Sequence, residues 1–184
     1  MGNHSTGIIR GPIDMGPEAE GGASTYMQYG MVKGYTTTAG YKQMILVTNV
    51  DYHVNRSIAV GPSGGYVDAY LKNVNVHLGL LSFTKSSDIT SAEMYLEATI
   101  GVPEGIVFHV TTNSGGSGIV TVMKIDLTSG LMENYAVTIQ SGTPIECLGV
   151  NYASLQTTTA VVGPDGKTES NQVYGYNTVY STKM

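Results

Sequence analysis

From Thr25 onward the chain alternates apolar and polar positions over short runs broken by glycine and proline, the pattern of half-buried strands. Tyr26 to Lys33 predicts a short first strand, followed by a loop at "GYTTTAG", 34–40. Lys42 to Val54 ("KQMILVTNVDYHV") is rich in β-branched residues with partial alternation and predicts one long strand. Asn55 to Gly65 ("NRSIAVGPSGG") reads as a Gly/Pro/Ser loop, and Tyr66 to Leu80 alternates again as a strand. Further strands are predicted at Gly105–Thr112, Gly118–Leu127, Leu131–Gln140, Glu146–Val162 and Asn171–Thr182, with "GPDGK" at Gly163–Lys167 as a hairpin turn.

One segment follows helical spacing instead. Thr90, with Glu93 three residues later, has the form of a capping box, in which the two side chains close the free amides of a first helical turn. Met94, Leu96, Ala98 and Ile100 follow, and Gly101 with Pro103 ends the helix, so it is predicted over Thr90–Thr99. About eight strands and one helix describe a mainly β fold, a sandwich or a small antiparallel β-barrel with one flanking α-helix. The stretch Met1–Ser24, with "GPIDMGPEAEGG" at its centre, shows no period and reads as an extended N-terminal arm ahead of a single domain, 25–184.

Composition narrows the function. Charged residues are 12% of the 184, against about 25% in an ordinary soluble domain, while 24 Gly and 13 Tyr fill the gap. Lone monomers use charge to stay apart from their copies, so a neutral Ser/Thr/Gly/Tyr surface suits a subunit walled in by neighbours. The formal net charge of −5 and the lack of a Lys/Arg cluster argue against a nucleic-acid partner. No apolar run reaches the ~18 residues of a membrane helix, so no membrane insertion is expected. The start of the chain lacks the apolar core of a signal peptide. The single cysteine, Cys147, cannot form an internal disulfide.

The candidate chemistry is sparse. Gly61-Pro62-Ser63-Gly64-Gly65 fits the nucleophile-elbow pattern, and Ser63 with Asp68 or Asp88 and His109 could be written as a serine hydrolase. That motif needs a strand-to-helix turn above a parallel sheet, whereas here a strand is predicted to follow. His4, His53, His77 and His109 stand at no metal-ligand spacing. Cys147, in "PIECLGV", has no basic neighbour to activate it. Glu93 and Glu97, at i and i+4 and of like sign, mark a solvated helix face. No catalytic, cofactor-binding or metal residue is assigned; no cofactor and no enzymatic activity are expected.

Three segments, in order, resemble the haemolysin-coregulated protein (Hcp) family of type VI secretion systems. The first is Tyr29–Ser57, with Val32-Lys33-Gly34 and Ala39-Gly40-Tyr41. The second is Leu81–Gly101, in which Ser82-Phe83-Thr84-Lys85 and Asp88 match directly. The third is Glu146–Asn177, with Asn151-Tyr152-Ala153, the Asp165-Gly166 turn and "VYGYN" at Val173–Asn177. Tyr52 and Tyr176 stand where the family usually carries Trp, and Ala92 where it has proline.

The resemblance implies an inner-tube subunit: six copies close into a ring and rings stack into a tube inside a contractile sheath, carrying a spike protein and secreted effectors. It implies assembly in the bacterial cytoplasm and then secretion. It also implies that the Asn55–Gly65 loop, through Asn55, Arg56, Ser57, Ile58, Val60, Gly61, Gly64 and Gly65, projects toward the next ring. A phage tail-tube protein shares the architecture and is the alternative of the same class.

Overall fold

The computed structural model describes residues 24–58, 74–113, 118–163, 168–177 and 182–183. Their strands are β1 (Thr25–Tyr29), β2 (Ile45–Val47), β3 (Asn49–Asp51), β4 (Val54–Ile58), β5 (Val74–Leu78), β6 (Leu81–Ser86), β7 (Glu104–Asn113), β8 (Ile119–Gln140), β9 (Thr143–Asn151), β10 (Ser154–Val162), β11 (Thr168–Asn177) and β12 (Thr182–Lys183). The helix α1 (Ser91–Ile100) lies between β6 and β7. Ten strands form one antiparallel sheet in the order β12-β11-β10-β8-β7-β1-β2, with β9, β6 and β3 branching from β8; β4 and β5 form a separate pair.

Two corners fold this sheet around a core. The first is in β8, which the sequence reads as two strands. Its first part pairs β7 and β10 through Ile125 and Leu127; after Ser129, at φ 49°, its second part pairs β9 from Leu131 to Gln140. The Ser129-Gly130 turn signal is thus a bend inside a continuous strand. Gly130 sits there because a Cβ would come within 2.5 Å of the Ile106 side chain. The second corner divides the segment read as one strand over Lys42–Val54. β2 pairs β1, then Thr48 donates its N–H to the Thr84 carbonyl (2.8 Å) and β3 pairs β6. The expected β-barrel therefore takes the form of two sheet layers joined by strands that turn from one to the other, and not of a cylinder with hydrogen bonds all the way round.

Alternation places the core. Met27 and Tyr29, Ile45 and Val47, Leu81 and Phe83, Ile106 and Phe108, Ile125 and Leu127, Leu148 and Val150 all point inward from their strands and are buried. Phe83 and Phe108 meet edge to face, 5.6 Å between ring centres. The segment read as one strand over Glu146–Val162 breaks at Tyr152-Ala153, where Ala153 donates its N–H to the Thr128 carbonyl and β9 gives way to β10. β10 and β11 pair antiparallel from Ser154–Asn177 to Val162–Thr168, the hairpin that "GPDGK" predicts.

The helix α1 begins and ends where the pattern places it, but its start is held differently. Thr90 is the N-cap without a side-chain cap bond. Asp88 takes the role two residues earlier. Its Oδ1 accepts from the Thr90 N–H (2.8 Å) and the Thr90 hydroxyl (2.6 Å), while its own N–H donates to Ser91 Oγ (2.9 Å). Gly101 donates to the Glu97 carbonyl and turns extended, ending the helix ahead of Pro103. Met94 is fully buried in the core, and Tyr95 meets Tyr135 of β8 edge on at 5.7 Å.

Candidate functional site

The residues expected in a ring-stacking loop fall in two groups. Asn55, Arg56, Ser57 and Ile58 are not loop; they belong to β4, paired with His77, Val76, Asn75 and Val74 of β5. Val60, Gly61, Gly64 and Gly65, together with Ser63, lie outside the described residues. β4 and β5 join neither end of the ten-stranded sheet. Their base is closed by the Gly79 N–H donating to the His53 carbonyl (3.0 Å), and a Cβ on Gly79 would come within 2.2 Å of the His53 ring. Asn55, Arg56 and Ser57 are polar and precede a Gly/Pro stretch, which hid the strand; the alternation of Val74, Val76 and Leu78 opposite them was the usable signal.

The Ser82-Phe83-Thr84-Lys85 segment is β6, and its inward positions are Leu81, Phe83 and Lys85. Lys85 is fully buried, an unusual place for an ammonium. Its Nζ lies 2.9 Å from Asp88 Oδ1 and 2.9 Å from Glu146 Oε2, and donates to the Ser86 carbonyl at 3.0 Å. The two carboxylates are 3% and 0% exposed. One lysine thus ties the turn before α1 to β6 and, through Glu146, to β9. Burial, then the Glu146 carboxylate, pushes the neighbouring Tyr135 phenol up.

On the opposite side of β1 and β7, the segment 34–44 folds over the sheet. Tyr41 stacks on Tyr26 at 4.6 Å and meets His109 edge on at 5.7 Å. Its hydroxyl lies 2.6 Å from Thr121 Oγ1, which is 3.4 Å from His109 Nδ1. Burial, and secondarily Lys124, hold His109 below the ordinary imidazole range. Lys124 is paired with Asp126 at 2.7 Å.

Among the described residues these groups do not assemble a reactive centre of the kinds considered from the sequence; Asp68, like Ser63, lies outside them. His109 is separated in the chain and the fold from Asp88, which is engaged by Lys85. All strand pairs among the described residues are antiparallel, so the strands bracketing Ser63 are not the parallel sheet that a nucleophile elbow needs. No three His, Cys, Asp or Glu side chains converge as a metal centre among the described residues. No helix there is long and apolar enough to cross a membrane.

Two features are suited to contacts between chains. β11 is covered on its outer side by β12 only at Tyr176 and Asn177, among the described residues. Exposed apolar side chains cluster along α1 and after it, at Tyr95, Leu96, Ile100 and Val102.

A family model described as "Type VI secretion system effector, Hcp" matches residues 26–158. The chain belongs to the Hcp family. A solved type six secretion system protein is similar to it at 17% identity and a TM-score of 0.76, covering 88% of this chain and 99% of its own. Hcp1 from Salmonella typhimurium is similar at 11% identity and a TM-score of 0.70, covering 89% and 99%. Hcp1 from E. coli EAEC 042, a double tryptophan mutant, is similar at 13% and 0.66, covering 84% and 98%. No curated protein sequence matches.

The Hcp match spans the Ser82–Lys85 segment, α1 and Asn151-Tyr152-Ala153, and ends before Val173–Asn177. At these identities the solved Hcp structures speak for the fold, a mainly β architecture with one helix. The family match makes this a type VI secretion protein. Tyr52 packs against the core, and Tyr176 of β11 pairs with Leu155 of β10.

Proposed function

We propose that this Hcp-family protein is the inner-tube subunit of a type VI secretion system, that six copies close into a ring, and that rings stack into a tube that delivers a spike protein and effectors. The observation that carries this reading is the β4–β5 hairpin, which stands apart from the ten-stranded sheet and so is available to the next ring. The outer side of β11, which among the described residues only β12 covers, supports lateral closure: a neighbour's strand would satisfy amide and carbonyl groups that otherwise invite aggregation. A head-to-tail contact of this kind closes when its rotation completes a turn. With flank, top and bottom covered by copies, a chain with 12% charged residues stays soluble as an assembly. Function is then mechanical, driven by a contracting sheath, and needs no cofactor. The Met1–Ser24 arm is an appendage to the tube domain 25–184; of it only Ser24 is described, its carbonyl accepting from the Thr111 N–H and hydroxyl at 2.9 Å each.

Deleting Ile58–Gly64, the last residue of β4 and the stretch that follows it in the chain, tests this role. The variant is expected to fold and form rings by sedimentation, yet give no long tubes by microscopy. Tubes of normal length from that variant would remove the assignment.

A further inference from the structure

The segment between β1 and β2 builds a basic groove. Its backbone is tied across: Gly34 donates to the Gln43 carbonyl and Gln43 to the Thr36 carbonyl, 2.8 Å each, while Thr36 Oγ1 accepts from the Met44 N–H at 3.0 Å. Two hollows, of about 440 and 240 Å³, open on this segment and share Lys42 and Gln43 as lining. Lys33 lines the smaller one. Gln43 stands in the left-handed region at φ 60°, where residues other than glycine are uncommon.

Lys85 and Lys124 are ion-paired within the fold. Lys33 and Lys42 are exposed and have no ion pair among the described residues. No Asp or Glu lines either hollow; Glu104 comes close to Gly30 at the edge of the smaller one and pairs with neither lysine. Two uncompensated cations in one groove, on a chain of net charge −5, attract an anionic partner. The chain carries a segment of matching charge. Residues 11–23, ahead of β1, hold Asp14, Glu18 and Glu20 and no Lys or Arg.

The ends of β1 decide whose groove that segment meets. β1 and β2 are antiparallel, with Thr25 opposite Val47 and Met27 opposite Ile45, so Lys42 and Gln43 lie at the Tyr29 end. Ser24 is at the other end, roughly 17 Å away at the usual rise of a strand. The bonds from Thr111 to its carbonyl keep the backbone in line with β1 as far as Ser24. To fill its own groove the arm would have to reverse there and run back the length of β1. A head-to-tail contact needs no reversal, because it brings the Ser24 end of one chain to the Lys42 end of the next. We infer that the acidic stretch Asp14–Glu20 of one copy lies in the Lys33/Lys42 groove of the next copy. This contact rests on the association of copies proposed above and adds a strap of opposite charge between them.

Carbodiimide, which joins a carboxylate to an amine only where the two touch, tests this on the intact chain. Peptides linking Lys33 or Lys42 to Asp14, Glu18 or Glu20 are expected from the assembled wild type by mass spectrometry. Two variants decide between the two grooves: D14N/E18Q/E20Q keeps the groove, and K33Q/K42Q keeps the arm. Each alone should lose these links. Co-expressed in one assembly they should regain them, now between the two chains. Circular dichroism and microscopy of every sample confirm folding and assembly. Links in the wild type that do not return in the mixture would mean that each arm fills its own groove, and would overturn the inference. Rings or tubes of the wild type without these links would overturn it as well, and leave the tube reading standing. Absence of any ring or tube would remove the tube reading together with the contact built on it.

Discussion

Replacing Lys85 by Met keeps the length and much of the apolar stem of the side chain but removes the buried ammonium. Two carboxylates, Asp88 at 3% and Glu146 at 0% exposure, then lose the cation that stands 2.9 Å from each. Removing one partner of a buried ion pair typically costs about 3–5 kcal/mol, because the remaining charge is buried uncompensated. Here two charges are stranded, and Asp88 also organises the start of α1, so the loss belongs in the upper part of that range. Urea unfolding of both proteins, at one fixed protein concentration because association adds to apparent stability, measures it. The deficit should shrink at about pH 4 relative to about pH 8, since stranded carboxylates can stay buried by binding protons. Replacing Asp88 by Asn and Glu146 by Leu in the same chain should recover most of the loss. A deficit below about 1 kcal/mol, the scale of a surface pair, would refute the reasoning, as would a deficit that grows toward acid.

Three further outcomes follow from individual contacts. Gly34→Ala should cost at least about 2 kcal/mol in the same unfolding assay, because its Cβ would fall 1.9 Å from the Met44 carbonyl oxygen, which is backbone and cannot rotate away. Tyr152→Phe should cost about 1–3 kcal/mol, since it orphans the buried Gly79 carbonyl that the tyrosine hydroxyl now reaches at 2.8 Å; a neutral result would mean water replaces the hydroxyl. His109, held low by burial, resists protonation when folded. Its contribution is therefore intact above the ordinary imidazole value and is lost as pH falls through that value toward the lowered one. His109→Asn should flatten the stability profile between about pH 7 and pH 5, and an unchanged slope would assign the dependence to other groups.

The sequence was informative where one local rule decided the outcome. β1, β7 and α1 follow from alternation, helical spacing and their glycine or proline ends. The corners were not legible, because a strand that turns from one layer to the other keeps its alternation. Thr48 is a corner only because Thr84 waits across from it, and Ser129-Gly130 is a bend only because β9 and β10 pair with the two halves of β8. The capping box at Thr90 and Glu93 lost to Asp88, which Lys85 holds in place. Lys85 itself reads as a surface charge by residue type, although its spacing from Leu81 and Phe83 marks it as inward.

The most direct measurement of the central claim is electron microscopy of the purified wild-type chain across a range of concentrations. The account predicts six-fold annular end views of uniform diameter, with side views of stacked rings as concentration rises. A population of single globular particles at every concentration, with no annuli, would contradict it.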